Sequence, residues 1–214
     1  MTYMDIPGPR QESNDLVGVR LATAADLGWL TDLLCTSFHD DPLTRWILPD
    51  PRARRAALPG FFTVFVELSL AHGGIIVGDE RESALLYLSP AGVERAQERD
   101  DEIQRRLADA VGGADAGSLL LTILGMQAAH HPSHREHYYV TFGAVHPEHQ
   151  GGGAISAAMA PLLAAADREG QAIYAEASSD SGAAACLSFG FTAMGSVIRL
   201  PGGPTLRPMW REPR

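Results

Sequence analysis

Val145-His146-Pro147-Glu148-His149-Gln150-Gly151-Gly152-Gly153-Ala154-Ile155-Ser156 is the stretch on which the fold turns. It reads as a strand end, a glycine loop and the opening of a helix. Such a loop presents bare backbone N–H groups at the positive end of a helix dipole, the arrangement that holds a pyrophosphate. Gly-rich turns also serve as plain connectors, so the flanks carry the decision. Before the loop, Tyr138 to Val145 is rich in β-formers and ends ahead of Pro147. After it, Ile155, Ala158, Met159, Leu162 and Ala166 recur at helical spacing, Gly170 stops the helix, and a second apolar strand runs from Ala172 to Ala177. The pattern is neither G-x-G-x-x-G nor G-x-x-x-x-G-K-[ST], which disfavours a Rossmann dinucleotide site and a P-loop alike.

The order Val145-x-Pro147-x-x-Gln150-Gly151-x-Gly153, a helix, then Glu176-Ala177-Ser178-Ser179 and Phe189-Gly190-Phe191, resembles the acyl-CoA binding core of the GNAT acetyltransferase superfamily. Val19-Arg20-Leu21-Ala22-Thr23 followed by Asp26 resembles the first strand and helix of that fold. Phe38-x-x-Asp41-Pro42-x-Thr44-Arg45, the His130-His131-Pro132 segment and the closing Pro204 to Pro213 are similar to the puromycin N-acetyltransferase-like branch. The resemblance implies an α/β chain of the α+β type. Its mixed, mostly antiparallel central sheet of six to seven strands would be flanked by helices and splayed between the fourth and fifth strands. A flexible segment is expected over residues 1–15, which are polar and hold two prolines, and a single acyl-CoA N-acyltransferase domain over 16–214.

The activity the resemblance implies is transfer of an acetyl group from acetyl-CoA, as co-substrate, to a primary amine of a small molecule by direct attack in a ternary complex. Main-chain groups of Ala144 and Val145 would pair with the pantetheine arm as another strand would. The amides of Gln150, Gly151, Gly152, Gly153, Ala154, Ile155 and Ser156 map to the family's phosphate loop. Against the pattern Gln-Gly-basic-Gly-x-Gly, Gly152 stands at the basic position and Ile155 at the final glycine. The first change removes a charge-assisted bond to phosphate, and the second puts a β-branched side chain where the backbone approaches closely. Cys186 stands where the family carries the tyrosine that protonates the departing thiolate, and Gly182 replaces an asparagine upstream. Cys186 is thus either a short proton donor or a small buried hydrophobe.

Alternation along the fifth strand puts Glu176 and Tyr174 on one face, and a half-buried carboxylate there is costly without a partner or a task. Glu176 is therefore the candidate base, its alternative being a structural hydrogen bond or ion pair. His137 and Tyr139 share one face of the fourth strand and are candidates for the acceptor pocket, as are Phe38, Asp41 and Trp46. Acidic groups beside aromatics suit a cationic amine, while Asp41 ahead of Pro42 also reads as a helix N-cap. Of the histidines at 130, 131, 134, 137, 146 and 149, only His130 with His134, or His134 with His137, are spaced to converge, and then only on a helix, which Pro132 breaks, so no metal site is expected.

The 17 basic and 26 acidic residues give a net charge of −9, which repels nucleic acid and anionic lipid and favours a cationic small molecule. No apolar run reaches the ~18 residues that span a bilayer, and no secretory leader is read at the start. The two cysteines suggest no disulfide framework, so a reducing cytoplasm is the expected setting. Lysine is absent and alanine abundant, as in a GC-rich bacterial genome. A homodimer is compatible with these features.

Along the chain, the first strand is expected at Leu16–Leu21, with a helix capped by Thr23 and running to about Phe38. A helix over residues 52–71 is expected to be interrupted near Pro59-Gly60, then a hairpin of Ile75–Val77 and Ser83–Leu88. One solvated helix is expected over Val93–Ala110, another helix over Ser118–Ala129, and a terminal hairpin of Thr192–Leu200 with Thr205–Trp210. The departures at Gly152, Ile155, Gly182 and Cys186 motivate an alternative of another class: a catalytically impaired GNAT-like acyl-CoA sensor or interaction module.

Overall fold

The computed structural model describes residues 18–214, so the segment expected to be flexible over 1–15 and the start of the first strand at Leu16 lie outside the described residues. The chain alternates strands with helices: β1 (Val19–Leu21), α1 (Leu27–Phe38), α2 (Pro42–Ile47), α3 (Pro51–His72), β2 (Gly73–Gly78), β3 (Ser83–Leu88), α4 (Pro90–Glu98), α5 (Asp100–Val111), α6 (Ala114–His130), β4 (His137–Val145), α7 (Ala154–Glu169), β5 (Ala172–Ala177), α8 (Asp180–Ser188), β6 (Thr192–Ala193), β7 (Ile198–Arg199) and β8 (Thr205–Arg211). Sheet order is β1-β2-β3-β4-β5-β8-β6, with β7 on β8, and every pair is antiparallel except β4 with β5. Among the described residues the expected six or seven strands become eight, because the incoming limb of the terminal hairpin bends at Gly195 (φ 62°), leaving β6 and β7 as separate pieces on β8.

The sheet buries both faces. Beneath α7 and α8, Leu85, Tyr138, Val140, Ile173, Ala175 and Ala177 meet Ala158, Met159, Leu162 and Ala166. On the other face, Leu86, Ala84 and Ala144 meet Leu30, Leu34, Phe62 and Val66 of α1 and α3. Parity along β4 switches at Thr141, where the register slips from Leu86↔Phe142 to Tyr87↔Val140. This bulge puts Tyr139, Phe142 and Ala144 on the α1/α3 side and Tyr138, Val140 and Gly143 on the α7 side.

Two helices differ from expectation. α3 runs unbroken through Pro59. Pro59 and Gly60 face solvent, while Leu58, Phe62, Val64 and Val66 are buried between the sheet and α5; that burial outweighs the lost hydrogen bond and the low helix propensity of the pair. Gly60 also lets α5 approach, since a Cβ there would lie 3.3 Å from the Cβ of Ala110. The single helix expected over Val93–Ala110 is two, broken at Arg99 (φ −109°, ψ 15°), which ends α4 and starts α5. The break lets Val93 sit on the sheet side while Leu107 and Val111 join the α3–α5–α6 cluster.

The C-terminal strand is tied to α7 by Arg211, whose guanidinium forms a bidentate pair with Asp167 at 2.7 and 2.8 Å. α6 is tied to β4 by an imidazole pair. His137 Nδ1 lies 2.8 Å from the Arg135 carbonyl and therefore carries the hydrogen, which leaves its Nε2 to accept from His131 Nε2 at 3.1 Å. Burial, with the neighbouring His137 ring, pushes His131 down to about 4.

The imidazole pair makes stability depend on pH. His131 is neutral in the fold down to about 4 but takes a proton at about 6.5 when unfolded, so between those values the unfolded chain binds the extra proton and stability falls as pH falls. We expect the melting temperature to drop by roughly 4 °C or more from pH 7 to pH 5, with His131→Gln flattening that slope in thermal scans. A second expectation concerns Gly143, whose added Cβ would lie 3.1 Å from Cδ1 of Ile155. Gly143→Ala should destabilise by about 1–2 kcal/mol, and much less in an Ile155→Ala background, as a double-mutant cycle in denaturant would measure.

Candidate active site

The site begins where β4 and β5 part. They pair from His137↔Ala172 to Val140↔Ala175 and no further. β4 then continues against β3 as far as Ser83↔Val145, and β5 continues against β8 as far as Ala177↔Arg207. The bulge at Thr141 bends β4 at the point of parting. Between Thr141–Val145 and Glu176–Ala177 the facing backbone edges are left without each other, and a chain of amide groups entering there can pair as a strand does. This is the splay that the fourth and fifth strands were expected to show.

At the head of the wedge lies the glycine loop. His146 caps the short turn Pro147–His149, and Gly151 (φ 82°) and Gly153 (φ 84°) adopt the left-handed conformation that glycine takes without strain. No side chain caps α7. The N–H of Gly152 is directed at the His149 carbonyl (3.4 Å) and that of Ser156 at the Gly153 carbonyl (2.9 Å). Among the described residues, the N–H groups of Gly151, Gly153, Ala154 and Ile155 have no protein acceptor. A Cβ placed on Gly151 or Gly153 would meet nothing within 4 Å, so the loop opens outward as a cradle of free donors. Ile155 does not block it: its side chain turns inward, over Gly143 and beside Leu85, in the space that the missing Cβ of Gly143 leaves.

The end of α1 and the turn into α2 reach both arms of the wedge. Ser37 Oγ donates to the Val145 carbonyl (3.1 Å) on β4. Ser178 Oγ, just past β5, donates to Asp41 Oδ1 (3.2 Å). Asp41 also caps α2 by accepting from Leu43 N (2.9 Å) and Thr44 N (3.4 Å). Burial raises its carboxyl in spite of those bonds. Phe38 lies between the two contacts and packs edge-on against Phe142 at 5.3 Å.

Glu176 faces the same side. Tyr174 Oη donates to its Oε1 (2.7 Å) and the Gln127 amide of α6 donates to its Oε2. Burial raises the carboxyl, opposed by these two donors and by His130 nearby. The contrast with other carboxylates is direct: Asp26 and Asp167 are held by Arg20 and Arg211 and lie below the usual range. Among the described residues neither Glu176 nor Asp41 has such a salt bridge, although both are half-buried. A carboxylate kept without a cation and held by neutral donors takes a proton more readily than an exposed one.

Phe38, Asp41, Tyr139 and Glu176 therefore converge on one face of the wedge. Two expected pocket residues do not. Trp46 lies against the terminal hairpin, its ring 2.5 Å from where a Cβ of Gly203 would be. His137 is 3% exposed and spends both ring nitrogens on Arg135 and His131. Cys186 packs with Ala177 and Phe191 under α8, on the face opposite Glu176, and burial pushes its thiol up to about 11. Sequence reasoning missed Gln127 and the partners Ser37 and Ser178. Gln127 had a signal: it interrupts the apolar run of α6 and shares a helical face with His130 and His131. Among the described residues no group of three or more His, Cys, Asp and Glu is arranged to hold a metal, and no helix is long and apolar enough to cross a membrane.

No protein-family model matches the chain. Solved structures do. The Corynebacterium glutamicum protein described as histone acetyltransferase HPA2 and related acetyltransferase matches at 27% identity over 92% of this chain and 96% of that one, with a TM-score of 0.68. A mosquito arylalkylamine N-acetyltransferase, like 5b, matches at 14% identity over 91% and 98%, with a TM-score of 0.60. A Desulfovibrio desulfuricans acetyltransferase of the GNAT family matches at 13% identity over 91% and 97%, with a TM-score of 0.52. Parted fourth and fifth strands, a cradle of free amides at the head of α7 and these likenesses along nine-tenths of the chain together give the protein the GNAT acetyltransferase fold.

Proposed function

We propose that this protein is an acetyl-CoA-dependent N-acetyltransferase acting on a primary amine of a small molecule, within one domain that spans 16–214. The observation that carries the reading is the wedge between β4 and β5, open at the glycine loop and faced by a half-buried carboxylate with no cationic partner among the described residues. The likeness to the Corynebacterium and mosquito acetyltransferases supports it. The puromycin N-acetyltransferase-like branch is proposed on Phe38, Asp41, Pro42, Thr44 and Arg45.

In this reading the free amides of Gly151, Gly153, Ala154 and Ile155 hold the phosphates of acetyl-CoA, with Gln150, Gly152 and Ser156 shaping the loop. The edge of β4 at Ala144 and Val145 aligns the pantetheine arm. Glu176, directly or through a water, takes one proton from the ammonium, and the free amine so formed attacks the thioester carbonyl. The new C–N bond forms, the C–S bond breaks, the nitrogen sheds its second proton to solvent, and the thiolate takes a proton from solvent. Cys186 is a poor donor for that last step, because a thiol at about 11 gives its proton uphill to a thiolate of ordinary basicity near 8.5. Phe38, Phe142 and Tyr139 supply apolar and aromatic walls, Asp41 a negative one, and the net charge of −9 favours a cationic acceptor. Cytoplasmic placement and a bacterial source belong to the same proposal.

The test is calorimetric titration with acetyl-CoA followed by free-thiol release across a panel of primary amines. We expect binding, and turnover with at least one amine that rises with pH through the raised Glu176 midpoint. Glu176→Gln should lower kcat/KM by about 10²–10⁴, and Cys186→Ala should stay within about tenfold of wild type. A loss of four decades in Cys186→Ala would make the thiol the acid. Tight binding without turnover on any amine would favour the acyl-CoA sensor, for which the half-buried Cys186 in place of the tyrosine is the supporting observation.

A further inference from the structure

We infer that Gln127 and Tyr174 are positioning residues for Glu176: together they fix the direction of its carboxylate and set its strength as a base. This deepens the transfer reading and rests on it for the base role alone.

The geometry is specific. A carboxylate has two oxygens, and here each is met by one neutral donor from a different element, Tyr174 Oη from β5 and the Gln127 amide from α6. Two contacts on two oxygens fix the carboxylate plane, whereas one would leave it free to rotate about its last bond. Each oxygen keeps a further lone pair for an incoming proton. The donors must stay neutral for this to work. An arginine at either place would lock the group as an anion, as Arg20 and Arg211 do for Asp26 and Asp167. Glutamine cannot ionise. Tyr174 cannot lose its proton under ordinary conditions, because burial and the adjacent Glu176 raise it far above a free phenol.

Gln127 reaches Glu176 across 49 residues of sequence. α6 is able to carry it because its neighbours on the helix are anchored elsewhere. Leu120 packs with α3 and α5, Ile123 packs with Ile198, Leu200 and Leu206 of the terminal hairpin, and His131 locks onto His137. The other groups that bear on Glu176 are Tyr139 of β4 and His130 of α6. His130 Nδ1 lies 2.8 Å from the Met126 carbonyl and so carries the hydrogen, leaving Nε2 as the free ring nitrogen. Asp41 is one step further, through Ser178. Pro208, opposite Glu176 on β8, has neither charge nor N–H to offer.

The experiment measures the Glu176 midpoint twice in intact protein: by the carboxyl carbon-13 signal of glutamate-labelled protein, assigned with Glu176→Gln, and by the acid limb of kcat/KM against pH. Gln127→Met keeps the volume and deletes the donor, so both midpoints should rise by about one pH unit, with kcat falling more than KM changes. Tyr174→Phe removes a single oxygen atom, should act in the same direction, and carries the test if Gln127→Met does not fold. Gln127→Glu should raise the midpoint further than Gln127→Met, since it sets a second carboxyl against the first. The inference is overturned if folded Gln127→Met and Tyr174→Phe leave the carbon-13 midpoint in place, whether or not His130→Gln moves it. A shifted carbon-13 midpoint with no turnover on any amine, in wild type or variants, would uphold the positioning and sink the transfer reading instead.

Discussion

The parting of β4 from β5 after Val140↔Ala175 is the constraint on which the rest depends. Buried parallel strands normally satisfy each other's backbone groups, and leaving two strand ends unzipped inside a domain is costly unless something fills the gap. Here the cost is met on the outer sides: β3 holds β4 through Val145, and β8 holds β5 through Ala177. The Thr141 bulge converts one extra residue into a bend, with Thr141 Oγ1 directed at the Leu86 carbonyl at 3.3 Å. An opening made this way is built into the sheet, and it needs no ligand to exist.

What surrounds the opening follows from burial and charge together. On the α1/α3 side, the sheet would be a plain apolar surface of Phe142, Ala144 and Tyr139 were it not for Glu176 and Asp41. Carboxyls in such a place are raised by desolvation, and the chain answers with hydrogen bonds from hydroxyl, amide and backbone donors where it uses arginine elsewhere. The result is a half-buried acidic surface beside an apolar wall, which in the proposed transfer reading favours a cationic amine over an anion. On the α7 side, the same strands face a mainly apolar cluster that Cys186 packs against, with Tyr138 Oη donating to Glu169 at the end of α7. The two faces of the wedge thus have different chemistry, and the proposed base lies on one of them only.

Ile155 and Gly143 show how a local departure is absorbed. A β-branched residue in the first turn of α7 looks like an obstruction to phosphate binding when the loop is read alone. In the fold its side chain belongs to the core beneath the helix, because the strand under it carries a glycine at the contact. The pair is 12 residues apart in sequence and only the crossing of α7 over β4 brings it together. Pro59 makes the same point for stability: a residue that breaks isolated helices is carried through α3 because its neighbours are buried on both sides.

From residues alone, the β-formers of Tyr138–Val145, the apolar run Ala172–Ala177, the helical spacing of Ile155–Ala166 and the glycines at 151 and 153 determined the strand–loop–helix–strand core, since backbone conformation and apolar periodicity are local properties. The face shared by Glu176 and Tyr174 was legible for the same reason, as was the capping role of Asp41 ahead of Pro42. Tertiary structure alone decided that Gln127 reaches Glu176, that Ser37 and Asp41 touch opposite arms of the wedge, and that Trp46 and His137 turn away into the terminal hairpin and the His131 pair. Those contacts join residues far apart in the chain, and side-chain direction at each one is set by which helix packs across which strand, a quantity that periodicity within a single element does not contain.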